Sequence, residues 1–364
     1  MNYGSAVPNI VDLEFFPMDV ELLEPFGIAT GAQLVARNVV VRLTLADGTQ
    51  GIGEAAPFPA VNGETQEQVL AALPAARGAV LGSAAPRYRR VAAALREALP
   101  ATPSAQAAVE IALFDALTRR ARCSLNDFFG GQAQALRTDI TLPTGDVDQA
   151  ARAARRAAEQ GFDTLKVKVG GALQALDAER IRNAAREAPQ AAWILDANAS
   201  LSADAALGLL DALGSLRERV VLFEQPTPRE DWDGLRRVQE HGRVPVAADE
   251  SARNSADVAE LSRNRVVSVI NIKITKCGVV EAWDMAVTSK TCGLGLMIGG
   301  MVETELAMTT SACLAAGLGG FQFVDLDTPL FMAERPKLRG GFLQRGPELD
   351  LAQIEAGHGV TWLG

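Results

Sequence analysis

The sequence predicts an α/β protein: a (β/α)8-type barrel preceded by a smaller α+β domain. Three observations lead there. Eight short apolar runs follow Arg137, at 138–143, 164–169, 192–197, 220–225, 244–249, 267–273, 293–299 and 320–326, separated by amphipathic helical stretches. Polar residues recur near the run ends at even spacing: 28 residues from Lys168 to Asp196, 28 to Glu224, 25 to Asp249 and 24 to Lys273. Before Arg137 the order is different, strands first and helices after, as in a separate α+β unit.

Residues 10–55 are β-rich. Positions 39–45 (Val-Val-Val-Arg-Leu-Thr-Leu) form a strand, Ala46-Asp47-Gly48 a turn, and Gly51-Ile52-Gly53-Glu54 the returning strand. Residues 65–129 are helical. The clearest helix is expected to be capped by Ser104, with Ala108, Ile111, Ala112, Phe114 and Leu117 along one face. Gly130-Gly131 closes this region. Beyond it, eight βα units of roughly 25 residues are what a barrel requires. A doubly wound open sheet is the alternative. It would have to accommodate eight strands and would usually carry a Gly-rich phosphate loop, whereas Val169-Gly170-Gly171 after the second run is not GxGxxG.

Composition narrows the function. The chain has 364 residues, 48% hydrophobic and 22% charged, with a net charge of -9 that argues against nucleic acid as a partner. No run approaches the roughly 18 apolar residues of a membrane span, and Met1-Asn2-Tyr3-Gly4-Ser5 does not open a secretory leader. A cytoplasmic protein is expected. Cys123, Cys277, Cys292 and Cys313 have no metal-ligand spacing and are expected to be reduced, buried thiols. His241 and His358 join no motif, which disfavours a histidine-ligated zinc.

The barrel rule gives the polar residues their meaning. Strand C-termini face one mouth, so Lys166, Lys168, Asp196, Glu224, Asp249 and Lys273 should converge there. A single strand-end Asp commonly caps the following helix. Four adjacent units each offering an ionisable group make capping a poor general explanation, because so many unpaired charges in one mouth are costly. Three carboxylates can hold a hard divalent cation through oxygen, and lysines on either side of it could move a proton.

These motifs resemble the enolase superfamily, in its muconate cycloisomerase-like branch, over essentially the whole chain. Lys166-Val167-Lys168 resembles the branch's KxK, Asp196, Glu224 and Asp249 its three metal ligands, and Asn271-Ile272-Lys273 the opposing base. At the eighth run, Asp325-Leu326-Asp327 resembles the DxD with which dipeptide epimerases hold a substrate's free α-ammonium. Carboxylates at i and i+2 share one strand face and can form a cation pocket; capping of the next turn is the alternative. The resemblance implies a cap at 1–131, a barrel at 132–330 and a segment at 331–364 returning to the cap. It implies one Mg2+ per subunit, with Mn2+ able to substitute, a small dipeptide substrate and a homo-oligomer.

The implied reaction is inversion of the α-carbon of the C-terminal residue by two-lysine 1,1-proton transfer through an enediolate. Lys168 and Lys273 serve opposite faces. Lys166 is the second ammonium that, with the cation, should lower a neighbouring lysine's pKa, or it forms a salt bridge with a metal ligand. Substrate contacts are implied at Thr141, Asn198, Gly27, Met301 and Glu303, the last also a candidate for a helix N-terminus. The loop at 26–33, with Gly27 and Gly31 as hinges, and the segment 54–64 are expected to close the mouth.

Two positions depart from the family pattern. Gly27 stands where some dipeptide epimerases carry a basic residue, which disfavours a C-terminal glutamate and leaves hydrophobic or basic residues open. Val279 replaces a second glycine in Lys276-Cys277-Gly278-Val279, a local packing change. N-acylamino-acid racemases, o-succinylbenzoate synthases and muconate-type cycloisomerases share the metal and lysines but are disfavoured by Asp325 and Asp327, which would repel substrates lacking an ammonium. A non-catalytic barrel scaffold is disfavoured by the complete set of lysines and acids.

Overall fold

The computed structural model describes residues 7–28, 31–142, 145–333 and 337–364; for residues 24–28, 31, 32 and 173 the description is of backbone alone. The chain opens with an antiparallel sheet of β1 (Ile10–Ile28), β2 (Gly31–Leu45) and β3 (Gln50–Ala55). Five helices follow: α1 (Pro59–Asn62), α2 (Gln66–Val80), α3 (Tyr88–Ala98), α4 (Pro103–Ala121) and α5 (Leu125–Phe129). The sheet lies on α4 so closely that a Cβ on Gly53 would overlap the Ala108 carbonyl oxygen, which requires glycine on the strand. The helix start differs from the sequence expectation. Thr102 is the N-cap, because Pro103 supplies the fixed φ and the dispensable N–H that suit the first helical position. Ser104 instead bonds the buried carboxylate of Glu64.

After the short strand β4 (Ala135–Arg137) come eight parallel strands: β5 (Ile140–Leu142), β6 (Thr164–Lys168), β7 (Ala192–Asp196), β8 (Val220–Glu224), β9 (Val246–Ala248), β10 (Val269–Ile272), β11 (Gly295–Ile298) and β12 (Phe321–Val324). Each lies inside one of the eight predicted runs and pairs with its neighbour in sequence order. The first and last meet across a seam where Asp139 N–H donates to the Val324 carbonyl at 2.9 Å. The Thr138 hydroxyl reinforces it, accepting from Leu326 N–H at 2.9 Å and donating to the Val324 carbonyl at 3.3 Å.

Alternation of side chains builds the interior. Ile194, Leu222, Ala247, Val269 and Met297 point inward and form one apolar layer. Trp193, Leu195, Phe223, Val246, Ile270 and Leu296 point outward and pack in the main core. Two positions beyond each inward residue, the same face carries Asp196, Glu224, Asp249, Asn271 and Gly299. The apolar layer is thus the floor of the polar mouth.

Helices α6 (Val147–Glu159), α7 (Asp177–Glu187), α8 (Ala203–Ala212), α9 (Trp232–His241), α10 (Ser255–Arg263), α11 (Ile274–Cys277) with α12 (Val279–Thr291), and α13 (Glu305–Leu318) connect the strands. Side-chain caps start several of them: Asp146 with Gln149 in a capping box, Ser202, Asp231, Asn254 and Thr304. After β12 a 3-10 turn, Thr328–Phe331, stands in place of an eighth helix. The chain then runs through β13 (Leu338–Arg339), β14 (Leu343–Arg345), β15 (Glu348–Asp350) and β16 (Thr361–Trp362). Leu125 N–H donates to the Gly357 carbonyl at 2.7 Å, and the rings of Trp362 and Phe16 are 4.7 Å apart. Among the described residues no helix is long and apolar enough to cross a membrane.

Buried carboxylates join the N-terminal elements to the barrel helices. Glu54, at the end of β3, accepts from Thr304 N–H at 3.0 Å, the Thr304 hydroxyl at 2.6 Å and Ala307 N–H at 3.1 Å, all at the start of α13. Glu110 of α4 accepts from Val280 N–H at 2.9 Å, at the start of α12. His358 is fully buried against Asp115 and the Ile52 carbonyl, a packing role away from the barrel mouth. The four cysteines form no disulfide; Cys277 and Cys313 are buried, whereas Cys292 is exposed on the turn after α12.

Candidate active site

Lys166 and Lys168 occupy alternate positions of β6 and both enter the mouth. Lys166 lies deeper. Its ammonium nitrogen is 3.0 Å from Asp196 Oδ2, 2.7 Å from Glu224 Oε2 and 2.6 Å from Asp325 Oδ2. Burial opposes its charge, but these three acids outweigh burial and hold Lys166 protonated well above the ordinary lysine range. Lys168 Nζ reaches Asp196 Oδ2 at 2.6 Å. Lys273, just past β10, sits 2.8 Å from Asp249 Oδ2. β6 and β10 are four places apart in a ring of eight, so Lys168 and Lys273 approach from opposite sides, with the ends of β7, β8 and β9 between them. A side chain on Gly299 would bring its Cβ within 3.2 Å of Lys273 Cε and 2.9 Å of Asn271 Oδ1; glycine there leaves room for the lysine.

Asp196, Glu224 and Asp249 are buried on three successive strands. Their remaining contacts aim them. Asn198 N–H donates to Asp196 Oδ1 at 2.9 Å, with Asn198 itself at φ 42°, and Asn271 Nδ2 donates to Glu224 Oε1 at 2.7 Å. Against the cost of burial, Lys166 and Lys168 keep Asp196 well below the usual carboxylate range, and Lys273 and Lys276 do the same for Asp249. Burial, with Asp196 beside it, pushes Glu224 up to about 7. Its Oε2 has Lys166 nearby but no aligned hydrogen bond, and Glu250 Oε2 is likewise buried without a donor. Hard oxygen donors from three adjacent strands, one group under-neutralised, are a donor set that fits a divalent cation such as Mg2+. The lowered lysine pKa expected from the sequence requires that cation. The protein's own charges act the other way: against burial, Asp249 and Glu224 raise Lys273 above its ordinary value.

The other predicted residues divide. Thr141, Asn198, Met301, Asp325 and Asp327 line one small cavity with the three lysines, together with Phe58, Val61, Gly300 and Thr328. Thr141 N–H donates to Asp327 Oδ2 at 2.5 Å. Burial, with Asp325 beside it, pushes Asp327 up to about 7. Glu303 is buried but turned on its own loop, accepting from Met301 N–H at 3.0 Å; it does not line this cavity, and at the start of α13 Thr304 is the cap while Glu54 accepts from Ala307 N–H. The stretch expected as a loop continues the β1–β2 hairpin instead. Phe26 pairs with Gln33, Gly27 with Ala32 and Ile28 with Gly31, since ladder bonds satisfy backbone that a loop would leave to water. Ala29 and Thr30, and any substrate contact made by Gly27, lie outside the described residues.

Three residues were not anticipated. Lys276, one turn after Lys273 on α11, donates to Asp249 Oδ1 at 2.6 Å and to the Asp249 and Asn271 carbonyls at 2.7 and 3.1 Å. The i, i+3 lysine spacing was its only signal. Gln225 accepts from Asp249 N–H at 2.9 Å and from Ser251 N–H at 3.1 Å, tying β8 to the turn that carries Asp249. Asp139 stands within 4.8 Å of both Asp325 and Asp327, all three buried.

Comparison with known proteins agrees with this geometry. The family model described as "Enolase C-terminal domain-like" matches residues 148–363, and that of the "Mandelate racemase / muconate lactonizing enzyme, N-terminal domain" matches 11–130. An aromatic dipeptide epimerase of Herpetosiphon aurantiacus is 48% identical over 344 residues, 94% of this chain and 96% of that protein. The crystal structure of a mandelate racemase/muconate lactonizing enzyme from Roseiflexus sp. is 50% identical, with a TM-score of 0.92 over 99% of both chains. A dipeptide epimerase from Enterococcus faecalis V583, solved with Mg and the dipeptide L-Leu-L-Tyr, is 30% identical, with a TM-score of 0.92 over 97% of this chain and 99% of that one.

Proposed function

The chain belongs to the mandelate racemase/muconate lactonizing enzyme family of enolase-like proteins, and within it we propose that it is a Mg2+-dependent dipeptide epimerase. The observation that carries this reading is the buried pair Asp325 and Asp327 beside the lysines and acids of the mouth. A free dipeptide has an ammonium to match them; an N-acylated amino acid does not. Relatives named dipeptide epimerases, one of them bound to Mg and a dipeptide, support the same conclusion. Gly27 offers no charge, and Phe58, Val61 and Met301 give the cavity an apolar side. We therefore infer a dipeptide with a hydrophobic C-terminal residue, aromatic ones included. The division into a cap at 1–131, a barrel at 132–330 and a returning segment at 331–364 is part of this reading.

Asp196, Glu224 and Asp249 would hold the metal. When bound, Mg2+ supplies positive charge beside the substrate carboxylate, which makes the otherwise weakly acidic α-proton removable. The chain's residues do the rest. Lys168, as the neutral amine, takes the α-proton onto Nζ from one face, and the Lys273 ammonium gives a proton to the other; the roles exchange for the opposite epimer. Lys166 keeps its proton and spaces Asp196, Glu224 and Asp325. Asp325 and Asp327 hold the substrate's ammonium, Thr141 and Asn198 border its path, and Phe58 and Val61 keep water from the mouth.

The test is deuterium uptake at the α-carbon from a dipeptide library in D2O, with Mg2+ and with chelator. Free dipeptides should exchange with Mg2+ alone, hydrophobic C-terminal residues fastest. Faster exchange of N-acetylated forms, or of no dipeptide at all, would overturn the assignment. Mn2+ should restore activity after chelation, being of like charge and ligand preference, and sedimentation of the purified chain should reveal the homo-oligomer that the family resemblance implies.

A further inference from the structure

The barrel seam fixes Asp139 next to Asp325. Asp139 N–H donates to the Val324 carbonyl, and Thr138 holds both that carbonyl and Leu326 N–H, so Asp325 lies between two backbone anchors of the Asp139 strand. Carboxylate oxygens of Asp139, Asp325 and Asp327 all lie within 4.8 Å of one another. Two of the three have donors: Lys166 Nζ reaches Asp325 Oδ2 at 2.6 Å, and Thr141 N–H reaches Asp327 Oδ2 at 2.5 Å. Asp139 is 2% exposed, and among the described residues neither of its oxygens has a donor; Asp327 Oδ1 has none there either.

A carboxylate buried without a donor or a counter-ion does not stay ionised. Facing a second carboxylate, it takes a proton and becomes the donor itself. We propose that Asp139 is a protonated positioning residue, whose carboxyl O–H donates to Asp325 and so fixes the Asp325–Asp327 pair to receive one ammonium group. The proposal rests on the dipeptide reading for the identity of that ammonium, though not for the proton.

With the proton on Asp139, Asp325, which Lys166 reaches at 2.6 Å, and Asp327, whose Oδ1 has no donor among the described residues, are the acids left to face one ammonium. The charged groups facing Asp139 are Asp325 and Asp327 from beyond β12 and Lys166 from β6. Burial comes first, then the two acids, and together they push Asp139 well above the carboxylate range against the smaller opposing effect of Lys166.

The experiment compares D139N and D139L in the full, Mg2+-loaded chain, using free and N-acetylated dipeptides. An Asn amide can donate to Asp325 as the carboxyl does, so D139N should keep KM within about threefold of wild type. D139L has no donor and should raise KM for free dipeptides by about tenfold, with a smaller change in kcat. In parallel, infrared difference spectra at neutral pH, without substrate, should show a carboxylic C=O band in wild type that D139N removes. D139N weakening free dipeptides as much as D139L would overturn the proposal, because Asp139 would then act as an anion. So would a missing infrared band, or wild-type behaviour of both variants. A band that D139N removes, in a chain that epimerises no dipeptide, would defeat the dipeptide reading while supporting the proton on Asp139.

Discussion

The mouth of the barrel and its joint with the N-terminal elements both bury carboxylates, and they stabilise them in opposite ways. At the joint, Glu54 and Glu110 face backbone N–H groups and hydroxyls at the starts of α13 and α12. These donors are fixed and carry no full charge, so burial wins, and Glu110 is pushed up to about 7. At the mouth, Asp196 and Asp249 face lysine ammoniums on flexible stems, and the charges win over burial. Fixed partial charges hold two parts of a molecule together. Mobile full charges can yield to a cation and a substrate. For Glu54 and Glu110 against Asp196 and Asp249, the neighbours and not the burial make the difference.

Substitutions in the two regions should therefore fail differently. The largest effect is expected at the mouth: K168A or K273A, with Mg2+ bound, should lose about 10²–10⁴-fold in kcat, the usual contribution of a positioned acid or base. Epimerisation rates from each epimer measure it, and undiminished turnover by either variant would remove the two-lysine scheme. E54A should come next, acting on stability. It strands Thr304 N–H, Ala307 N–H and a hydroxyl, which should cost about 3 kcal/mol in urea unfolding, with kcat of the folded fraction changed far less than in K273A.

The smallest effect concerns pH. Glu110 titrates near 7 folded against 4.5 in its reference state, so the folded form holds the extra proton. Stability linked to that proton is fully present below about 4.5 and is lost as pH rises through 7. E110Q removes the titration, and its stability relative to wild type should improve from pH 5 to pH 8 by about 1 kcal/mol or more. Parallel pH–stability curves for the two proteins would show that Glu110 stays ionised.

Much of this was legible in the sequence because strand periodicity and strand ends are local. Trp193-Ile194-Leu195-Asp196 announces both an inward apolar residue and, two positions on, an inward acid; the same pattern serves Leu222 with Glu224 and Ala247 with Asp249. Contacts between distant segments were not legible. Glu54 read as the last residue of a hairpin strand, and its partners on α13 come 250 residues later. Asp139 precedes a strand of only three residues and gained significance only when the seam brought it to Asp325. The cap of α4 moved from Ser104 to Thr102 because two good capping residues flank one proline, and the choice fell to Glu64, which claims the serine hydroxyl. Residues 26–33 read as a loop with Gly27 and Gly31 as hinges, whereas the ladder there is set by the pairing of β1 with β2.

The closing of the ring between its first and last strands has a consequence for synthesis. A ribosome delivers Lys166 159 residues ahead of Asp325. Until β12 and Asp325 emerge, Asp196 and Glu224 can face Lys166, but the far wall of the mouth has nothing to hold it from that side. A product that terminates before residue 321 would keep seven of the eight barrel strands and both lysines of the pair, yet lack the two acids proposed to hold an amino group.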